Sequence, residues 1–295
     1  MRAPGAFKVE ERDPDQDPFK DDHVEKLLVF ILEHLREEQQ PAVLTKDVYG
    51  RMPLHYAAQY GLVFATDMLM KHMQQWNLFD VSGGIDAAEW QDDEGYAPLH
   101  LAVIGGHYRT SKALLLVDDW HNFKDARLTN KHAEKSGLSL ELATKSNYHK
   151  IVKLLVDVGV DVNFRDENGE TALHIAARFG YEDCARALLD AKEGEQRINV
   201  EIGEKAYNWT PLFIACVNGH MNIVKLLIAA GAQINKLDSS LWTPQEHAAL
   251  RGHIDIAKYL AQFTPPPSIH PSPELQAQLS GSPPKSSSLD RKSVV

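Results

Sequence analysis

Histidine is the residue type in this sequence that most invites a chemical role. The chain has fourteen histidines, and an imidazole can bind a metal ion, move a proton, or donate and accept hydrogen bonds. No short H-x3-H or C-x2-C cluster is present, so the spacing indicates hydrogen bonds inside repeated turns, and we expect neither a metal site nor a cofactor. Six of the fourteen histidines recur in two contexts: His55, His100 and His174 each follow a leucine, and His107, His220 and His253 each follow a glycine.

Motifs that carry catalysis or bind phosphate are absent from the sequence. There is no glycine-rich phosphate loop, no G-x-S-x-G turn and no Cys–His signature, and the carboxylates are scattered over positions predicted to face solvent. The two cysteines, Cys184 and Cys216, occupy apolar helix positions and are interpreted as core residues. We therefore expect no active site and no disulfide in this chain, as suits a reducing cytoplasm or nucleus.

Charge and hydropathy narrow the classes of partner. The formal net charge is −10, which disfavours a generic nucleic-acid binder because phosphate contacts need a basic face. The sequence has no run of about 18 apolar residues, and its start lacks the apolar centre of a secretion signal. We expect a monomer without a membrane span that works in the cytoplasm, with the nucleus as an additional compartment.

One stretch, residues 166–199, shows the pattern that organises the chain. It begins DENGETALHIAARFGYEDCARALL, in which the Thr171 hydroxyl can cap an orphan backbone N–H and Gly180 can end a first helix in the left-handed conformation. A second apolar helix follows at once, so the unit is a turn and two antiparallel helices. Such a pair cannot bury its apolar faces alone and requires stacked neighbours.

The same frame recurs five more times. The other first helices read GRMPLHYAAQYG, GYAPLHLAVIGG, GLSLELATKSN, NWTPLFIACVNG and LWTPQEHAALRG. This pattern resembles the ankyrin repeat, with its T-P-L-H start, paired alanines and closing glycine, and Leu140 to Leu173 spans the ankyrin period of 33 residues. In the third copy Asn147 replaces the closing glycine, and asparagine tolerates the left-handed conformation. The resemblance implies an all-α solenoid of about six repeats with β-turn fingers.

The predicted repeats fill the middle of the chain. We expect a disordered acidic tail at 1–21, the ankyrin-repeat domain at 22–263, and a disordered Pro/Ser-rich tail or linker at 264–295. An amphipathic helix at 22–39 is interpreted as a cap on the first repeat, with partner binding as the alternative. The repeats are placed near 47–80, 92–117, 134–165, 166–200, 204–237 and 238–263, with insertions near 74–91 and 117–135.

Candidate binding residues come first from one frame position, three residues before the leucine of each first helix. In ankyrin-like proteins this position lies where finger meets helix, along the concave surface that binds partners, and aromatic and Arg residues anchor interfaces. The alternative is that it packs against the neighbouring finger. The position reads Arg51, Tyr96, Gly137, Glu170, Trp209 and Trp242. Further candidates are Tyr49, Tyr207 and Asn208 at finger tips, and Tyr56, Tyr60, Arg178 and Phe179 on first helices.

The C-terminal tail contains Ser–Pro and Thr–Pro pairs. The stretch from Ser282 to Lys285, SPPK, resembles the S-P-x-K preference of cyclin-dependent kinases. We interpret Ser282 as a candidate phosphorylation site, with chance occurrence in a Pro/Ser-rich tail as the alternative.

A closer resemblance rests on two stretches, DVYGRMPLHYAAQYGL in the first repeat and WQDDEGYAPLHLAVIGGH in the second. Together they resemble the ankyrin segment of fungal proteins that combine an SPX domain, ankyrin repeats and a glycerophosphodiester phosphodiesterase domain. The resemblance implies a role in phosphate or glycerophospholipid metabolism, with a cyclin–CDK or a phosphodiesterase domain as partner. It carries over no catalytic residue, because the H-R-G and E-N-T segments of the phosphodiesterase are absent.

Two hypotheses follow from these residues. The first is a non-catalytic protein-binding scaffold. The second is a regulatory array for a glycerophosphocholine phosphodiesterase whose catalytic domain is not in this chain.

Overall fold

Helices make up the regular secondary structure of the described residues. The computed structural model describes residues 22–76, 91–115, 138–191 and 197–263. Helix α1 spans Asp22–Glu33 and is followed by a 3-10 helix at Glu37–Leu44. Among the helices that the structure describes, none is both long and apolar enough to cross a bilayer.

Six helix pairs follow, one for each predicted repeat. The pairs are α2 Pro53–Gln59 with α3 Val63–Gln75, α4 Pro98–Ile104 with α5 Tyr108–Leu115, α6 Leu138–Lys145 with α7 His149–Asp157, α8 Ala172–Phe179 with α9 Glu182–Leu189, α10 Pro211–Asn218 with α11 Met221–Ala229, and α12 Pro244–Leu250 with α13 Ile254–Ala261. The predicted all-α repeat architecture is confirmed.

Each pair stacks on the next, so the core is shared between neighbours. The six first helices contact one another in chain order, as do the second helices from α3 to α11. Leu54, Leu173 and Leu212 are fully buried, and each such leucine stabilises the array by roughly 1.5–3 kcal/mol. Ala58 and Ala176 are also fully buried, and their small side chains let the first helices approach closely.

The start of α8 differs in one detail from the expectation. Thr171 is the N-cap residue, but its hydroxyl caps no backbone N–H. Instead, His174 Nδ1 accepts the Thr171 backbone N–H at 3.1 Å and lies 2.8 Å from the Thr171 hydroxyl oxygen. The prediction for the hydroxyl was therefore wrong, because the hydroxyl bonds the imidazole, which also accepts the N–H of the N-cap residue itself.

The first helices end as predicted. Gly180 has φ +76° and Asn147 has φ +58°, so both adopt the left-handed conformation. After each of them the backbone turns back onto the helix, with Tyr181 N–H donating to Ala176 O at 3.0 Å. Asparagine thus replaces glycine in the third repeat without loss of the turn.

The N-terminal helix is shorter than its apolar pattern predicts. Helix α1 ends at Glu33, before the predicted end at residue 39, and the 3-10 helix begins at Glu37. Pro41 lies inside the 3-10 helix, where its ring and its missing N–H disfavour an α-helix. Helix α1 lies against α3, with Leu32 buried and Leu35 packed on the core. Its exposed apolar residues are Leu27, Phe30 and Ile31.

Several predictions lie outside the described residues. They concern the tails at 1–21 and 264–295 with Ser282, most of both insertions, and the start of the third repeat including Gly137. These, together with the domain boundaries, stay predictions.

Candidate protein-binding surface

A finger, a turn closed by one carboxylate, precedes the first helix of the repeats. In the first repeat, Asp47 Oδ1 accepts the backbone N–H groups of Tyr49 and Arg51, both at 2.9 Å. Charge-assisted bonds to two amides of the same turn hold its backbone in one conformation. The same arrangement closes four later fingers through Asp92, Asp166, Glu204 and Asp238.

Hydrogen bonding lowers the pKa of two of these carboxylates, Asp47 and Asp238. Tyr56 Oη donates to Asp47 Oδ2 at 2.5 Å, and this bond is the main cause of the lowered pKa of Asp47. Burial raises the pKa of the Asp238 carboxyl, but the hydrogen bonds that it accepts outweigh burial and lower the pKa to about 2. Their donors are the backbone N–H groups of Trp242 and Ser240 and the side chains of Trp209 and His247. The carboxylates of the first and sixth fingers therefore stay ionised at physiological pH and keep accepting these hydrogen bonds.

Two residues at the frame position three before the first-helix leucine, here called the ladder position, join neighbouring fingers. Arg51 Nε donates to Asp92 Oδ2 in the second finger at 2.9 Å. Trp209 Nε1 donates to Asp238 Oδ2 in the sixth finger, also at 2.9 Å. At these positions the side chain reaches toward the next repeat and packs there, which is the alternative that the sequence left open.

The remaining ladder residues differ from one another in exposure. Glu170 is buried and accepts hydrogen bonds from the Arg178 guanidinium of its own repeat. Tyr96 is half-buried. Trp242, in the last repeat, is 40% exposed. The ladder is therefore partly internal, and its role in partner binding stays a prediction.

The repeated histidines join the repeats in two directions. Because His174 Nδ1 accepts a backbone N–H, Nε2 carries the hydrogen and donates to Trp209 O in the next finger at 3.2 Å. His220 Nε2 lies 3.1 Å from Arg178 O in the preceding repeat. Equivalent bonds are made forward by His55 and backward by His107 and His253. These histidines have the hydrogen-bonding role that their spacing indicated.

The described surface offers hydrogen bonds and apolar contact. Within the described ranges, no three His, Cys, Asp or Glu side chains are grouped so that they could hold a metal ion. Cys184 and Cys216 are buried, and burial raises the pKa of Cys216 to about 12. A thiol in that state is not a nucleophile at neutral pH.

Exposed aromatic residues lie on the fingers and at the ends of first helices. Tyr60 and Phe179 share one frame position, directly before the glycine that follows the first helix, and each is 54% exposed. Tyr49 and Tyr207, at finger tips, are more than half exposed. Aromatic rings presented in this way supply large contact area at an interface. Of the other predicted residues, Tyr56 is half-buried, and Arg178 and Asn208 are exposed.

Sequence reasoning missed two apolar residues beside these aromatics. Val48, at the first finger tip, is 86% exposed, and Leu241, at the last, is 75% exposed. Leu241 also has φ +62°, at the finger position that Gly50, Gly95 and Gly169 occupy in other repeats. The signal was available in the sequence, since a leucine stands where the frame has glycine.

The family comparison agrees with this geometry. Three successive matches to the model described as ankyrin repeats cover residues 21–126, 116–202 and 196–268. Each match encloses two of the six helix pairs.

Known relatives include enzymes that are much longer than this chain. It is similar to glycerophosphocholine phosphodiesterase GDE1 of Candida albicans, with 39% identity over 217 residues, and of Eremothecium gossypii, with 36% over 243 residues. These alignments cover 72% and 81% of the chain, but it spans only 17% of the length of either relative.

Another relative is mostly covered by the alignment. The chain is 27% identical over 214 residues to the probable 26S proteasome regulatory subunit p28 of Saccharomyces cerevisiae, across 71% of this chain and 84% of that protein. The closed fingers, the stacked helix pairs and the family matches across 21–268 agree, and the chain belongs to the ankyrin-repeat family.

Proposed function

We propose that this chain is a non-catalytic scaffold whose fingers and first helices bind a protein partner. The observation that carries the proposal is a set of exposed aromatic side chains held on rigid backbone: Tyr49 and Tyr207 on closed fingers, and Tyr60 and Phe179 at helix ends. A rigid backbone reduces the entropy lost on binding, and aromatic anchors supply most of the affinity of many interfaces.

The partner proposed for this scaffold is a protein of fungal phosphate or glycerophospholipid metabolism, with a cyclin–CDK as the candidate; a phosphodiesterase domain is the partner in the second function given below. Support comes from the similarity to two fungal glycerophosphocholine phosphodiesterases over most of this chain. We propose that the scaffold works as a monomer in the cytoplasm, and in the nucleus as well, without binding nucleic acid.

A second candidate function is regulation of a glycerophosphocholine phosphodiesterase. The named relatives carry that activity as whole proteins, of which this chain matches 17%. In this function the array positions or restrains a catalytic domain that hydrolyses glycerophosphodiesters and is not in this chain.

Affinity capture separates the two functions. The purified chain is used as bait in fungal lysates, with and without phosphate starvation, and the bound proteins are identified by mass spectrometry. Recovery of a cyclin–CDK supports the scaffold, and recovery of a phosphodiesterase supports the regulatory array. Recovery of neither under both conditions contradicts the link to phosphate metabolism.

The surface itself is tested with a double variant, Tyr60→Ala with Phe179→Ala. Both side chains are more than half exposed, so the helical content measured by circular dichroism should not change. Affinity for the captured partner should fall about tenfold or more, because aromatic anchors dominate interface energies. Phe64→Ala removes a partly exposed ring from α3, outside this surface, and is the matched control. Equal affinity of the double variant and the wild type would contradict the assignment of the surface.

A further inference from the structure

The last repeat leaves apolar groups uncovered where earlier repeats are covered. Leu241 is largely exposed, and Trp242 is partly exposed. A Cβ on Gly252 would meet no described atom within 4 Å, whereas at the equivalent Gly219 it would lie 2.5 Å from the ring of His253 in the next repeat. The described residues thus end on a stacking face that is open.

Leu241 is energetically unfavourable for two reasons, its backbone conformation and the exposure of its side chain. Its left-handed backbone, φ +62°, crowds the Cβ of an L residue, which glycine at the equivalent position avoids. Its side chain also remains in solvent. A residue kept in a strained conformation, at a position that does not serve the core, is a sign of function.

Trp242 lacks the acceptor that its counterpart has. Trp209, at the same frame position one repeat earlier, donates its indole N–H to Asp238 in the next finger. Among the described residues no finger follows Trp242, so its indole is left at the open face.

The sequence that follows has the length and composition to cover this face. Asp238 lies 19 residues after Gly219, and the same count from Gly252 reaches Pro271. Residues 264–271, directly after the described part, read TPPPSIHP. Consecutive prolines favour the polyproline II helix, which is ordered before binding, and aromatic-lined surfaces bind such segments.

We propose that residues 264–271 bind the open face of the last repeat of their own chain, with the prolines against Leu241 and Trp242. Carbonyl groups along the segment accept the Trp242 indole N–H, and Ile269 adds an apolar side chain. The tether at Phe263 gives an effective concentration on the order of millimolar, so a contact too weak to hold a separate peptide is sufficient. This binding site concerns the end of the array and does not depend on the partner surface proposed above.

Nuclear magnetic resonance on the full-length, isotope-labelled chain tests the proposal. The backbone amide of Ile269 should have an order parameter of about 0.8, against less than about 0.6 for Ser286 further along the tail. Nuclear Overhauser contacts should join Ile269 to the Trp242 ring. An Ile269 amide as mobile as that of Ser286 in the wild-type chain overturns the proposal.

Two variants link the order of the segment to the face. Trp242→Ala removes the ring, and Leu241→Gly removes the side chain while relieving the backbone, so that the finger keeps its fold. Both should lower the Ile269 order parameter to the Ser286 value. Tyr49→Ala is the control: it removes an exposed aromatic side chain from the first finger and should leave the Ile269 order parameter unchanged. Order retained at Ile269 in both of the first two variants overturns the proposal.

A sample that mixes labelled and unlabelled chains tests whether the open face binds the segment of its own chain or that of a second copy. The contacts between Ile269 and Trp242 should arise within one molecule and persist on dilution. Contacts that arise only between molecules would assign the face to a second copy and overturn the intramolecular proposal.

Discussion

The fifth and sixth repeats hold the same residue types in the same frame and differ in what lies beyond them. Trp209 donates to the following finger and is half-buried, whereas Trp242 is 40% exposed. Gly219 lies under a ring of the following repeat, whereas a Cβ on Gly252 would have no described atom within 4 Å. Trp209 and Gly219 therefore each contact a residue of the next repeat, whereas Trp242 and Gly252 have no such neighbour among the described residues.

The start of the first helix shows the same difference. In the fourth repeat, His174 caps α8 through Nδ1 and reaches the next finger through Nε2. In the sixth repeat Glu246 occupies this position, and its Oε2 accepts the Thr243 backbone N–H at 2.7 Å. A carboxylate can cap a helix but has no N–H to donate to a neighbour. Glu246 thus makes the bond within its own repeat and has no N–H with which to make the forward bond of His174.

The largest effect is expected from the interior histidine. Burial lowers the pKa of His174 from 6.5 to about 4, so the unfolded chain takes up the proton first as the pH falls. The stability that neutral His174 provides is complete above pH 6.5 and declines by roughly 3 kcal/mol by about pH 4. His174→Gln keeps an acceptor and a donor without this titration and should remove most of that decline. Urea unfolding at pH 7 and pH 5 measures it.

His34→Gln is the matched control for this prediction, since His34 is exposed. Glu246, the residue of the last repeat that is equivalent to His174, titrates over a different pH range. Hydrogen bonds from Thr243 lower the pKa of Glu246 from 4.5, so its contribution is present above that pH and is lost below it. A pH dependence of His174→Gln equal to that of the wild type would show that His174 is not the interior titrating group.

The two tryptophans should differ in their contribution to stability. Trp209→Ala loses ring packing and the hydrogen bond to Asp238, and the free energy of unfolding should fall by about 2 kcal/mol. Trp242→Ala should cost less than about 1 kcal/mol, because the ring is partly exposed. Trp209→Phe isolates the hydrogen bond, at about 1 kcal/mol. If urea unfolding shows the same loss of unfolding free energy for the two alanine variants, the two tryptophans do not differ as proposed.

The two glycines give the smallest and most closely matched difference. Gly219 and Gly252 have φ of +80° and +82°, so alanine at either position pays the same left-handed strain of about 1–2 kcal/mol. At Gly219 the new Cβ also displaces the His253 ring and weakens its 3.0 Å bond to Val217 O, adding about 1 kcal/mol. The midpoint of thermal unfolding should be lower for Gly219→Ala than for Gly252→Ala. The reverse order would contradict the difference in surroundings between the two glycines.

The repeat frame was readable from the sequence because each of its signals is local. Gly180 and Asn147 end their helices within a few residues of the apolar pattern that they close, and the prediction for both was correct. Local reasoning was less reliable where two groups compete for one role. Thr171 was expected to cap a backbone N–H of α8 with its hydroxyl, but the hydroxyl bonds the His174 ring instead. Likewise, apolar periodicity extended the N-terminal helix beyond Glu33, where the structure ends it.

Contacts between repeats could not be derived from the period. Whether Arg51 and Trp209 face a partner or a neighbouring finger depends on how closely the fingers stack, and a spacing along the chain does not contain that distance. In the structure their donors lie 2.9 Å from Asp92 and Asp238. The exposure of Leu241 was likewise not evident from apolar periodicity, because its position is defined by backbone conformation and not by helix phase.

Because both native cysteines are buried, dyes can be attached at chosen finger tips to measure how the array stretches. Cys184 and Cys216 have no exposed surface, and the pKa of Cys216 is raised to about 12, so maleimide dyes at neutral pH should not label the folded wild-type chain. Val48→Cys and Ser240→Cys, both at exposed finger tips, would then be the only reactive thiols. A dye pair on these two sites would report the distance between the first and last fingers in single molecules, and so the stretching and relaxation of the whole array.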